Sequence, residues 1–238
     1  MAKIITIANL KGGVGKSVTT VNLAVGLARS GKKVLAIDAD PQGSLTVCLG
    51  IKNPESLHTT LASIIGNIIN ESRFNRNEGV LHHEEGIDFI PANLTLSGAE
   101  LTLVQVIGRE TILRQYVECV ESAYDYIVID TSPSLCLLTL NSLAAADIVI
   151  VPVVPKYLDV KGLELLLKTV AQIKRQINPR LEIGGILLTM VDKRARLTKE
   201  TISEVESAYG SRVRIFEEYI PRSVRAAETC AVGMSIYA

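Results

Sequence analysis

Near the amino terminus, Lys11-Gly12-Gly13-Val14-Gly15-Lys16-Ser17 places two ammonium groups, three glycines and one hydroxyl within seven residues. A phosphate chain needs that set: backbone N–H groups converging from a tight turn, a cation for the outer oxygens, and a hydroxyl for a metal ion. Gly15-Lys16-Ser17 closes the G-x-x-x-x-G-K-[ST] pattern, but Leu10 stands where that pattern opens on glycine, and Lys11 adds a second lysine at the loop's start. Carboxylates recur at two other points. Asp38 and Asp40 follow the apolar run Val34-Leu35-Ala36-Ile37, and strand alternation puts both on one side. Asp130 ends a second run, Tyr126-Ile127-Val128-Ile129. Acids at strand ends beside a phosphate loop suit a magnesium shell or an attacking water; as caps of their own loops they have a structural alternative.

The elements that must carry these groups follow from periodicity. Ile4 to Ala8 is a β-branched run that ends at the glycine-rich loop, and Val18 to Arg29 then carries Val21, Val25 and Ala28 at helical spacing. Lys33 to Asp38 is the next strand, and Pro41-Gln42-Gly43 opens a loop. From Leu45 to Asn93 the signals weaken, with a helix over Leu57 to Ile69, a polar loop over Asn70 to Glu85 and a short strand at Ile87 to Pro91. Strands at Tyr126–Asp130, Ile148–Val153 and Ile183–Thr189 alternate with helices at Arg109–Ser122, Ser134–Ala145, Val160–Ile177 and Thr198–Tyr209. Alternation of this kind predicts an α/β fold, a doubly wound, mostly parallel sheet with helices on both faces and ligands at the carboxyl ends of the strands.

Bulk properties agree and exclude other classes. The 238 residues are 47% hydrophobic with no Trp and 4% aromatics, which suits parallel strands rich in Ile, Leu, Val and Ala. No repeat or linker divides the chain, so a single domain over 1–238 is expected, with a variable insertion around 45–93. The cysteines Cys48, Cys119, Cys136 and Cys230 are far apart, without a CxxC pair, and read as reduced thiols. The opening apolar run is too short for a signal peptide and no stretch of about 18 uninterrupted apolar residues occurs, so a cytoplasmic, non-membrane protein is expected. Net charge is zero, yet residues 1–150 hold 11 basic against 15 acidic residues, and 151–238 hold 14 against 10. A shift from −4 to +4 leaves room for a polyanion-binding face near the carboxyl terminus, or for an ordinary solvated surface.

Lys11-Gly12-Gly13-Val14-Gly15-Lys16-Ser17 has the K-G-G-x-G-K-[ST] form of the deviant Walker A group, and the chain resembles the ParA/MinD family of P-loop ATPases along nearly its full length. The likeness is greatest to short, Soj-like ParA partition ATPases. Val34 to Gly43 looks like the family's second signature, Tyr126 to Pro133 like its Walker B strand, and Leu187–Asp192 and Ile220–Arg225 like ParA segments. The resemblance implies ATP and Mg²⁺ as cofactors, hydrolysis to ADP and phosphate, and an ATP-dependent sandwich homodimer. It assigns Lys16 to the β/γ-phosphates, Ser17 to magnesium, Lys11 to the other subunit's phosphates, and Asp40 to the attacking water. Asp38 and Asp130 would hold the magnesium shell through water, and Gly12, Gly13, Val14 and Gly15 the phosphates. Val18 stands where relatives more often have a threonine that touches the α-phosphate, and Met190, Asp192 and Pro221 fall near the base.

For the use of the switch, the resemblance to ParA implies non-specific DNA binding, with Arg194, Arg196, Arg222 and Arg225 as candidate contacts, nucleoid association with ATP, and a ParB-like partner that stimulates weak hydrolysis. A MinD-like membrane ATPase needs a C-terminal amphipathic helix. The chain ends instead on Gly233-Met234-Ser235-Ile236-Tyr237-Ala238. A scaffold that acts through protein partners is the other alternative. ParA relatives usually continue through another helix, so the resemblance leaves a truncated C-terminal helix or a short member.

Overall fold

The computed structural model describes residues 1–72, 75–155, 160–192 and 194–238, without the side chains of 160, 196, 197 and 227. Its strands are β1 (Lys3–Ile7), β2 (Val34–Ala39), β3 (Leu81–His83), β4 (Ile87–Ile90), β5 (Tyr126–Thr131), β6 (Ile148–Val153) and β7 (Glu182–Leu188). They form one seven-stranded sheet in the order β3-β4-β2-β5-β1-β6-β7. Every pair is parallel except β3 with β4. The helices are α1 (Lys16–Arg29), α2 (Ser44–Cys48), α3 (Leu61–Ile69), α4 (Thr95–Leu103), α5 (Ile112–Val120), α6 (Leu137–Ala145), α7 (Val160–Gln176), α8 (Arg196–Tyr209) and α9 (Val224–Val232).

Strand alternation splits the core in two, as a sheet covered on both faces requires. Ile4, Leu35, Ile37, Ile127 and Ile129 point to the face covered by Ile64 of α3, Tyr116 of α5, Leu143 of α6 and Leu166 of α7. Ile5, Ile7, Val34, Ala36 and Val128 point to the other, under Val21, Ala24 and Val25 of α1 and Leu45 of α2. The central strands β2, β5 and β1 carry their functional ends between these layers, so Asp38 and Asp130 lie side by side in the register and both are fully buried.

The doubly wound sheet is as expected, but four elements fall where loops or nothing was read. β3 lies inside the Asn70–Glu85 stretch; its Leu-His-His sequence is too polar to look like a strand, but it needs to bury only one edge, against β4 across the Gly86 turn. The five residues of α2 are too few to show a helical period. In α4, Leu101 is exposed while Leu96 and Leu103 are buried, which blurs the apolar stripe. α9 is capped by Ser223, whose hydroxyl accepts from the Ala226 N–H, a cap legible only once the helix is suspected. Among the described residues no helix is long and apolar enough to cross a membrane.

Candidate active site

The loop between β1 and α1 has its shape because glycine stands where the backbone turns left-handed. Gly13 has φ +70° and Gly15 φ +85°, values that cost an L-residue about 1–2 kcal/mol. Gly15 is the N-cap of α1 and offers no side-chain cap, and the first turn holds no acid. The first N–H groups and the positive end of a 14-residue helix therefore point into the loop's concavity. Asn9 fixes the loop's entrance: its Nδ2 donates to Pro152 O at 2.6 Å, and its Oδ1 accepts the Lys11 N–H at 2.9 Å. Thr189 ties the middle, its hydroxyl donating to Val14 O at 2.8 Å.

Cation and acids converge beneath that loop. Lys16 is only 7% exposed, and its Nζ donates to Lys11 O at 3.3 Å. Burial lowers its pKa, while the charges of Asp130 and Asp40 push back and favour the ammonium. Ser17 Oγ donates to Asp130 Oδ2 at 2.6 Å, and Thr20 Oγ1 reaches Asp130 Oδ1 at 3.4 Å. Burial raises the Asp130 carboxyl above the carboxylate range, and neighbouring Asp38 raises it further. An added cation is the natural remedy for acids packed this way.

Asp38 is held differently. Its Oδ2 accepts from the Thr46 N–H at 2.8 Å and hydroxyl at 2.7 Å, and its Oδ1 from the Asp40 N–H at 3.1 Å. It thus fastens α2 and the turn that carries Asp40. Asp40 in turn accepts the Gln42 N–H at 3.0 Å and remains 6% exposed.

A cavity of about 210 Å³ opens beside Gly15, lined chiefly by apolar atoms of Val18, Met190, Ile220 and Pro221. Met190 takes φ +51°, and its Cε lies 3.6 Å from where a Gly15 Cβ would stand. Parallel pairing of Val191 with Pro221 joins the two segments that form the wall. Asp192 does not line this cavity; it accepts the Arg194 N–H at 3.1 Å in a turn just beyond. Arg194, Arg222 and Arg225 are exposed, and Arg222 also borders the cavity. The Arg196 side chain lies outside the described residues.

The expected residues Lys11 to Val18, Asp38, Asp40, Asp130, Met190 and Pro221 thus share the carboxyl end of the sheet. Asn9, Thr20, Thr46 and Thr189 were missed. Only Asn9, next to the glycine-rich turn, carried a signal, as a residue type that braces turns through its side chain; the three threonines act through distant contacts.

A mostly parallel sheet with a phosphate loop after its central strand, a lysine and hydroxyl opening the next helix and a buried aspartate facing them defines a P-loop NTPase. The particular family follows from the relatives. The chain matches the family model described as an AAA domain over residues 2–183. It is 42% identical over 236 residues to the sporulation initiation inhibitor protein Soj of Bacillus subtilis, covering 99% of this chain and 90% of Soj. Against the chromosome partitioning protein ParA of Caulobacter vibrioides it is 38% identical over 236 residues, covering 98% of this chain and 86% of ParA. A cobyrinic acid a,c-diamide synthase structure from Mycobacterium smegmatis, with bound ADP and magnesium, superposes with a TM-score of 0.85 at 32% identity, covering 98% of this chain and 91% of that one. The chain belongs to the ParA/Soj-like family of P-loop ATPases.

Proposed function

We propose that this chain is an ATP-driven DNA-partition switch, and the reading rests above all on Lys16 and Ser17 meeting Asp130 under the uncapped start of α1. Mg-ATP fits the residues present. The loop glycines leave room for phosphate oxygens, and Lys16 Nζ, which donates to the Lys11 carbonyl, supplies a cation within the loop. The apolar cavity beside Gly15 suits a flat base, with Met190 and Pro221 against it and Asp192 only behind the wall. Among the described residues no three His, Cys, Asp or Glu side chains converge as a metal cage. Magnesium needs none here, since it keeps several waters and takes one or two protein oxygens beside the phosphates. Ser17 would be the direct ligand, Asp130 its partner through water, and Asp38 the more distant member that also holds the turn. Bound magnesium would neutralise charge on the β and γ oxygens.

In this reading Asp40 orients the attacking water, Lys11 reaches the phosphates of a second copy, and a sandwich homodimer forms only with ATP. Arg194, Arg222 and Arg225, together with Arg196, then face DNA phosphates without reading sequence. A ParB-like partner accelerates a slow basal hydrolysis, and the ATP form resides on the nucleoid.

Binding to a random-sequence duplex, measured with ATP, with ADP and without nucleotide, tests the proposal. Binding should appear with ATP and weaken steeply with salt, because arginine–phosphate contacts release counterions. Equal binding in all three states would remove DNA from the switch and favour a scaffold acting through protein partners.

A further inference from the structure

Two of the four thiols meet although 48 and 230 are far apart in sequence. Cys48 is the last residue of α2 and Cys230 lies in the final turn of α9; both side chains belong to the apolar layer beneath α1. Each thiol is the other's foremost electrostatic neighbour. The contact is braced from several sides. α2 packs on α9, and the chain just after each helix touches the other, so that a Cβ on Gly233 would stand 2.5 Å from Gly50 Cα. His83 Nε2 lies 3.0 Å from Gly233 O, and Glu85 accepts the Ser235 N–H and hydroxyl at 2.7 and 2.6 Å. By contrast, Cys119 is exposed on α5, and Cys136 has hydroxyl neighbours in Ser132 and Thr139.

The two helices continue from different parts of the candidate site. α2 follows the Asp40 turn and carries Thr46, which holds Asp38. α9 follows Pro221, Arg222 and Ser223, which line the base cavity. We propose that Cys48 and Cys230 are a reversible dithiol, oxidised by hydroperoxides to a disulfide that locks α2 to α9 and slows nucleotide release.

The two thiols divide the chemistry. The neighbouring Cys48 lowers the Cys230 thiol below its usual range, whereas the Cys230 sulfur and burial raise that of Cys48. The half-buried Cys230 thiolate attacks the outer peroxide oxygen, the O–O bond breaks, and the alkoxide or hydroxide leaves with a proton, giving a sulfenic acid. The Cys48 sulfur then attacks that sulfur, the S–S bond forms, and hydroxide departs with the Cys48 proton as water. Both thiols are oxidised, and the peroxide is reduced to one water and one alcohol or second water. Transient dithiols of this kind are the usual form of disulfide in reducing compartments.

Full-length protein treated with hydrogen peroxide, digested without reductant and mapped by mass spectrometry should give a peptide bridging Cys48 and Cys230. Release of a fluorescent ATP analogue should slow by at least about fivefold, the lower end of typical coupling between sites. Dithiothreitol should restore it, Cys48→Ser and Cys230→Ser should abolish the effect, and Cys119→Ser should retain it. Unbridged thiols at 48 and 230 after oxidation, or bridges through Cys119 or Cys136, overturn the proposal; a bridge that leaves release unchanged overturns its control of the nucleotide. If Cys48→Ser does not fold, Cys230→Ser carries the test, its side chain being only half-buried. The release measurement rests on the nucleotide reading above, while the peptide map does not, so the two failures are distinguishable.

Discussion

In the proposed reading, the two ends of the candidate site recognise by different means. At the phosphate end, main-chain N–H groups, a buried ammonium and a buried carboxylate are held within one loop and two adjacent strands. At the proposed base end, Val18, Met190, Ile220 and Pro221 come from three separate segments and offer little but shape. A charge must be met by groups in fixed positions, and their desolvation leaves no slack. An apolar face can be met by any side chains that fill the space, so its composition drifts while its shape stays.

That difference orders the expected effects. Lys16→Ala should be the most damaging, costing about 3 kcal/mol or more, over a hundredfold in ATP affinity by calorimetry, because the charge-assisted bonds to phosphate go with it. The loss should be equal for ATP and GTP. Asp40→Ala should leave ATP affinity nearly unchanged yet slow hydrolysis by about a hundredfold, the contribution of a positioned group that handles a water. Hydrolysis persisting in that variant would strip Asp40 of its role. Met190→Ala should act at the other end: the side chain is 39% exposed, so stability should hardly move, while ATP affinity falls by about 1 kcal/mol from lost apolar contact. Here the loss should spare inorganic tripolyphosphate. A variant at Met190 that weakened tripolyphosphate as well would erase the division between the ends.

The same division governs what could be read from residues alone. Lys11 to Ser17 is contiguous, and its chemistry is stated by residue type and spacing, so the loop, the following helix and the parallel sheet were all legible. Asp38 was legible as a residue but not as a fastener, because Thr46 lies in the five-residue α2, which has no period to detect. Met190 and Pro221 were reached only through resemblance, and Asp192 with them, although it turns back to Arg194 outside the cavity. Thr189 and Asn9 brace the loop from just beyond the ends of β7 and β1, contacts that exist only after the sheet has formed.

Val18 stands where the two ends meet, directly after Ser17 and on the wall of the base cavity. The resemblance to the ParA/MinD family implies a threonine there, whose hydroxyl could donate to a phosphate oxygen. Val18→Thr keeps the branched shape and the apolar methyl, so the cavity wall should survive. One added neutral hydrogen bond is worth about 0.5–1.5 kcal/mol net, a two- to tenfold gain in affinity. The gain should appear with ATP and ADP alike, because the α-phosphate is common to both, and should be absent with adenosine. Equal tightening with adenosine would mean that the residue acts on the base after all, and the boundary between a charged end and an apolar end would have to move one residue toward the loop.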